Sequence, residues 1–296
     1  MPYDDNSDME QQLGPTPKKK FKVSKGPLKR ESALELALNL LKKYQSRSVS
    51  ELYDNCLAVE WSALCLCSQY HEVLKTALEI HIKKLLDEQR TDMWLYIKNK
   101  IVSTPICPDQ QKNFERIFSL NNVCPIQFAR DLKTVLSKSD PKINSLRIFG
   151  SPNTCKSLIA NCIVNPFVCC YMNNHGSENE FALSNLLNKS IVLCEELYIT
   201  IATAEDFKSV LGGQPIDISK KYNEKQLLSR TPIIITSNYQ KFGRGHISST
   251  DENALALRCF NYVFNYSYKP DILLDWRQFY LFIESKSSVI GRKCNP

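Results

Sequence analysis

Two spacings of apolar residues divide the chain. From Glu31 to about Leu136 they recur at helical intervals: Leu34, Leu36, Leu38, Leu40 and Leu41 supply one apolar face, and Leu64, Leu74, Leu78, Ile82 and Leu85 another. Ser32 is placed to cap the first helix and Ser50 a second, while Pro105, Pro108 and Pro125 punctuate shorter segments. After Pro141 short apolar runs take over: LRIF (146–149), FVCCYM (167–172), SIVLC (190–194) and PIIIT (232–236). Such runs suit strands buried on both faces. Helical stretches at 156–163, 178–188 and 203–211 lie between them, and the alternation predicts an α/β sheet with helices on both sides. The boundary between the halves is expected at 137–144, in SKSDPKIN. Tyr262, Phe264, Tyr266 and Tyr268 read as alternate positions of one more strand.

Composition narrows the class. With 296 residues, 43% apolar and 23% charged, the chain is globular and long enough to bury a core. No window approaches 18 consecutive apolar residues, so no transmembrane helix or membrane partner is expected. Twelve cysteines behind an acidic, polar N-terminus point to a reducing compartment and mostly buried thiols. Cys65-x-Cys67 and Cys169-Cys170 lack the spacing of a zinc site. Residues 1–30 have no hydrophobic periodicity and read as a disordered basic tail, with seven basic against four acidic residues. Within it PKKKFKV resembles a monopartite nuclear localisation signal, which implies a nuclear import receptor as partner.

Three segments carry chemistry. In LRIFGSPNTCKSLIANCI (146–163) a buried strand ends at Gly150, a turn-rich loop follows, and Lys156-Ser157 opens a helix. This is the architecture of a phosphate-binding loop: backbone amides at a helix N-terminus surround phosphate, a lysine reaches the outer oxygens, and a hydroxyl meets Mg²⁺. Cys155 stands where that pattern wants its second glycine, and its Cβ resists a positive φ. In KSIVLCEELYIT (189–200) a buried strand runs into Glu195-Glu196; one carboxylate suits a Mg²⁺ shell and the other a base for water. In TPIIITSN (231–238) a strand ends in Asn238, whose amide can donate to a terminal phosphate.

Together with LGGQPIDISKKYNEKQLLSRTPIIITSN and ENALALRCF, these segments stand in the order found in superfamily 3 helicases. The chain resembles the large non-structural replication proteins of parvoviruses and bidnaviruses over roughly residues 120–265. The resemblance implies an α/β fold, an AAA+-type P-loop ATPase domain preceded by a helical region. It implies ATP and Mg²⁺ as cofactors, with Gly150, Asn153, Thr154, Cys155, Lys156 and Ser157 at the nucleotide. Ser157 and Glu195 then belong to the metal, Glu196 is the base, Asn238 the sensor, and Arg258 the finger that reaches a neighbouring subunit. Lys221, with Lys220 beside it, matches the pore loop that tracks single-stranded DNA. Family members with a nickase carry paired histidine ligands. Here His71, His81, His175 and His246 form no His-x-His pair, so that domain is not expected in this chain.

The resulting expectation is a disordered tail (1–30), a helical oligomerisation collar (31–140), an ATPase domain (141–270) and a C-terminal extension (271–296). The protein is expected to be an ATP-hydrolysing DNA helicase, a hexameric homo-oligomer acting in viral DNA replication in the host nucleus. Departures from the family pattern keep alternatives open. Cys155 replaces a glycine, Ser151-Pro152 alters the residues after Gly150, and Asn223 replaces a second pore lysine. One alternative is a non-catalytic nucleic-acid-binding assembly protein whose turnover is impaired at Cys155; another is an interaction module acting through the helical half. In a working phosphate-binding loop the Cys155 thiol, at a helix N-terminus beside Lys156, is also expected to be more reactive than the buried cysteines.

Overall fold

A computed structural model describes residues 29–173, 182–220 and 223–287. The tail with PKKKFKV, the start of the stretch 178–188, and Lys221 lie outside them. The described chain divides into two compact units after Leu78.

The first unit holds α1 (Arg30–Tyr44), α2 (Val49–Asn55), α3 (Ala58–Cys65) and the start of α4 (Tyr70–Thr91). Ala37, Leu40, Leu41, Leu52, Leu64, Leu74 and Ala77 form its core. Of the expected faces Leu40, Leu41, Leu64 and Leu74 lie in this core and Leu34, Leu36, Leu38 and Leu78 are half-buried against it, while the caps differ from expectation. α1 starts before Ser32, with Lys29 as an N-cap that makes no side-chain bond. Ser48, not Ser50, caps α2 by accepting from the Glu51 N–H. The run from Leu64 to Leu85 is interrupted at Gln69, whose φ of 64° cannot continue a right-handed helix.

The second unit takes the rest of α4 from Glu79, followed by α5 (Met93–Ile101), α6 (Pro108–Leu120) and α7 (Pro125–Ser137). Pro108 and Pro125 open their helices, where a missing N–H is harmless. Five parallel strands follow: β1 (Ser145–Phe149), β2 (Cys169–Asn173), β3 (Ile191–Glu195), β6 (Ile233–Ser237) and β7 (Cys259–Val263), in the order β2-β3-β6-β1-β7. Between them lie α8 (Lys156–Val164), a short 3₁₀ turn (Ala182–Leu186) and α9 (Ala204–Leu211). An antiparallel pair, β4 (Ile216–Lys220) and β5 (Asn223–Leu228), precedes β6, and α10 (Ser249–Ala256) precedes β7. α11 (Trp276–Ser287) closes the described chain.

Strand alternation explains the layers. Leu146, Ile148, Leu193 and Ile234 pack on one face with α5, α6, α7, α8 and α11. Val192, Cys194, Ile233 and Ile235 pack on the other with Phe207, Leu211 and Leu255 of α9 and α10. The segment 137–144, read from sequence as a domain boundary, therefore connects α7 to β1 within one core. α11, read as part of an extension, belongs to that core too; the Tyr280 hydroxyl donates to Ile163 O at 2.8 Å. Cys67, Cys162, Cys170, Cys194 and Cys259 are buried thiols, whereas Cys65 is exposed. Among the described residues, no helix is long and apolar enough to cross a membrane.

Candidate functional site

In a parallel sheet all carboxyl ends share one edge, where ligands of open α/β sheets bind. The loops after β1, β3 and β6 meet there. Gly150 takes a φ of +134°, and a Cβ on it would lie 2.2 Å from Phe264 O and 2.6 Å from Asn265 Oδ1. Only glycine fits. The loop then turns through Asn153, at φ 60°, and enters α8 from Cys155, which adopts φ 65° and ψ 15°. Cys155 thus holds the left-handed conformation that a glycine would supply freely.

Lys156, the first residue of α8, is only 6% exposed. Its ammonium group donates to Gly150 O at 3.1 Å, to Ser151 O, and to Thr154 Oγ1 at 3.3 Å. The Thr154 hydroxyl donates to Ser151 O at 2.9 Å, closing the loop around the lysine. Burial pulls the Lys156 pKa down, and the charge of Glu196 opposes that shift. Ser157 lies exposed in the first turn of α8.

The acids sit across from this loop. Glu195 ends β3 between Asn173 of β2 and Thr236 of β6. Strand alternation puts it on the side of Leu193, the face covered by α8. Glu196 turns the chain with φ 52°, and its N–H donates to Thr236 O at 2.8 Å. Its carboxylate accepts from the Asn238 backbone N–H at 3.1 and 3.2 Å. Asn238 directly follows β6 and is exposed.

The segment after β7 backs the loop, and sequence reasoning missed it. Phe264 N–H donates to Phe149 O at 2.7 Å, and Ser151 N–H to Asn265 Oδ1 at 3.3 Å. Tyr268 N–H and the Ser267 hydroxyl both reach Asn153 O at 3.1 Å. The Cys155 thiol donates to Tyr268 O at 3.0 Å. β7 ends at Val263, so the expected strand alternation stops there: Phe264 is buried but Tyr266 is 56% exposed. The polar Asn265 and Ser267 among aromatics were the available clue. Burial pushes the Cys155 thiol pKa up, and the more deeply buried thiols of Cys162 and Cys259 are pushed up to about 12.

Arg258 lies elsewhere. It precedes Cys259, which pairs with Ser145 at the start of β1, so it sits at the amino edge of the sheet. Its guanidinium donates to Ala254 O in α10. Lys220 ends β4 in register with Asn223, and Lys221 lies outside the described residues. The structure thus brings together Gly150, Asn153, Thr154, Cys155, Lys156, Ser157, Glu195, Glu196 and Asn238, but not Arg258 or Lys220.

The residues at the carboxyl edge suit a polyphosphate. The glycine leaves no Cβ in the turn, the helix N-terminus favours anions, and Lys156 satisfies its ammonium with loop oxygens that a phosphate can replace. Among the described residues no cluster of three or more His, Cys, Asp or Glu could hold a metal. Mg²⁺ needs none, because one carboxylate and a hydroxyl suffice when phosphate and water complete its shell.

A family model described as parvovirus non-structural protein NS1 matches residues 62–266. Initiator protein NS1 of human parvovirus B19 (isolate AU) is 29% identical over 198 residues, covering 62% of this chain and 27% of that protein. Protein Rep52 of adeno-associated virus 2 (isolate Srivastava/1982) is 30% identical over 125 residues, covering 42% of this chain and 31% of the relative. The chain thus spans about a third or less of these curated relatives. In the solved structures, an inhibitor-bound JCV helicase superposes with a TM-score of 0.52 at 11% identity, over 86% of this chain and 82% of that one. That likeness is one of fold. With the family match extending from the helical region through the loop, the acids and Asn238, the chain belongs to the parvovirus non-structural protein NS1 family.

Proposed function

We propose that the chain hydrolyses ATP with Mg²⁺ and uses the cycle to move along single-stranded DNA as a ring, a hexamer, during viral DNA replication. The supporting observation is the meeting of the Lys156 loop, Glu195, Glu196 and Asn238 at one sheet edge. Bound ATP and Mg²⁺ supply the phosphoryl group and the charge that offsets it. Lys156 would meet phosphate oxygens in place of its loop oxygens, and Ser157 and Glu195 would hold the metal. Glu196, held by the Asn238 amide, takes the proton from an attacking water, and the Asn238 side chain donates to the terminal phosphate. Arg258, remote from its own loop, completes the site of the next subunit. Lys220 and Lys221 grip DNA phosphates in the pore. The helical residues 31–140 serve as the ring's collar. PKKKFKV, outside the described residues, binds an import receptor and brings the protein to the host nucleus.

The test is ATP hydrolysis with and without single-stranded DNA, comparing the wild-type chain with Lys156→Ala. DNA-stimulated turnover that Lys156→Ala loses supports the reading; equal rates overturn it. The left-handed Cys155 favours one competing reading, a non-catalytic assembly protein. Nucleotide and DNA binding without hydrolysis, in a preparation of verified rings, would select it.

A further inference from the structure

We propose that Arg147 and Glu252 are positioning residues that clasp the loop 238–243 from two sides, holding the Asn238 amide against the Glu196 carboxylate. Arg147 occupies the middle of β1, between Ile235 of β6 and Asn261 of β7, and is only 3% exposed. A strand buried on both faces normally carries an apolar residue there. The guanidinium rises along the α9–α10 face to the carboxyl edge. Its Nη2 donates to Tyr239 O at 2.8 Å and to Gln240 O at 2.9 Å. Its carbon lies 3.9 Å from the ring centroid of Phe242 and 4.5 Å from that of Phe149. From α10, the Glu252 carboxylate accepts the Phe242 N–H at 2.9 Å and the Gly243 N–H at 2.7 Å. Two carbonyls of the loop thus face a cation and two amides face an anion.

The arrangement is an expensive way to fill a core. Its Nε has no partner, and burial pushes its pKa down to about 10 against the opposing pull of Cys259 and the Glu252 carboxylate. An apolar side chain of similar size would pack the strand without that penalty. What the cation adds is the path of the loop. Asn238 is bonded to Tyr239, whose carbonyl Arg147 holds, so the direction of the Asn238 N–H follows from the clasp. Phe242 O accepts the Ile199 N–H at 3.1 Å, which ties the same loop to the segment just beyond Glu196. Glu196 is therefore fixed through both segments that flank it.

This inference rests on the assignment of Glu196 and Asn238 to turnover. The experiment uses the full chain with Arg147→Met, Arg147→Lys and Glu252→Gln, reading ATP hydrolysis and amide hydrogen exchange. Arg147→Met should lower kcat about 10- to 100-fold, as for a small misplacement of a reacting group. KM for ATP should change less than kcat, because Lys156 and its loop make more of the phosphate contacts than Asn238 does. Arg147→Lys should recover part of the loss, and Glu252→Gln should show a smaller fall. In all three, the amides of 238–243 should exchange faster while those of β1 and β6 stay protected. Unchanged kcat with unchanged exchange overturns the clasp, and so does faster exchange across β1 and β6 alike, which marks a merely structural role. Should Arg147→Met not fold, Glu252→Gln decides by the same readouts. Should the wild-type chain show no turnover, the functional reading fails and the exchange pattern alone decides the clasp.

Discussion

The backbone N–H of Asn238 lies 3.1 Å from one carboxylate oxygen of Glu196 and 3.2 Å from the other. A single donor shared by both oxygens fixes the carboxylate's position but leaves most of its lone pairs free for water. The Glu196 backbone, at φ 52°, turns out of the extended path that Glu195 still follows. Adjacent acids are thereby assigned to different surroundings, one beside α8 and one on the loop after β6.

Glu196→Gln should reduce turnover by a factor of about 10² to 10⁴, the usual worth of a general base. The amide oxygen can still accept the Asn238 N–H, so the loop and nucleotide binding should persist. Titration with a fluorescent ATP analogue, run beside a phosphate-release assay, checks both halves. Hydrolysis at the wild-type rate would remove Glu196 as the base.

Cys155→Gly should stabilise the protein. A side chain in the left-handed region costs roughly 1–2 kcal/mol, and glycine returns about 0.5–1 kcal/mol of that through the unfolded chain's entropy. The net gain is small, a rise of about 2–4 °C in Tm, but ATP affinity or turnover should rise with it. Cys155→Val, β-branched at the same φ, should lose stability. The thiol gives an independent check, because its pKa is raised above the ordinary thiol value and the thiolate is the reactive form. Alkylation of Cys155 at pH 7–8 should therefore be slower than that of the exposed Cys65, and should climb only as pH rises past the ordinary thiol range. Bound Mg²⁺-ATP should slow it further.

How much of this was legible in the sequence depends on the range of the interactions. β1, β3 and β6 were readable because parallel strands buried on both faces are continuous apolar runs, and Glu195 and Asn238 stood at their ends. Helix starts were less readable: α1 begins at Arg30 behind an N-cap, Lys29, that makes no side-chain bond, so no local signal marks it. The packing of α5–α7 and α11 onto the sheet has no local signature at all, since contacts such as Tyr280 with Ile163 span more than a hundred residues. The same holds at the site. The loop's own residues could be named, but its support from Asn265, Ser267 and Tyr268 arises only when β7 is laid beside β1.

Lys221→Ala should weaken the stimulation of hydrolysis by DNA and leave basal hydrolysis nearly intact. A lysine that touches phosphate releases counterions, so its loss should also flatten the dependence of log K on log salt, by about 0.7 for each subunit contact on a single strand. Fluorescence anisotropy with a labelled oligonucleotide at several salt concentrations measures this. An equal loss of basal activity would point instead to a structural role for the β4–β5 segment.

Arg258→Ala tests the proposed assembly. Arg258 stands at the amino edge of its own sheet, while Lys156 and Glu196 stand at the carboxyl edge, separated by the length of β1 and β7. It cannot serve the phosphates of its own loop without leaving that edge. Homogeneous Arg258→Ala protein should lose hydrolysis, as should homogeneous Glu196→Gln protein. In mixed rings each substitution damages a different half of a shared site. Where an Arg258→Ala subunit supplies the loop, Glu196 and Asn238, its Glu196→Gln neighbour supplies the arginine, and that interface has every group intact. Hydrolysis should therefore reappear on mixing, rise to a maximum near equal proportions and fall on either side. Subunit exchange must be verified, for example by energy transfer between labelled chains. With exchange shown and no recovery at any ratio, Arg258 acts within its own chain and the two-subunit site is wrong.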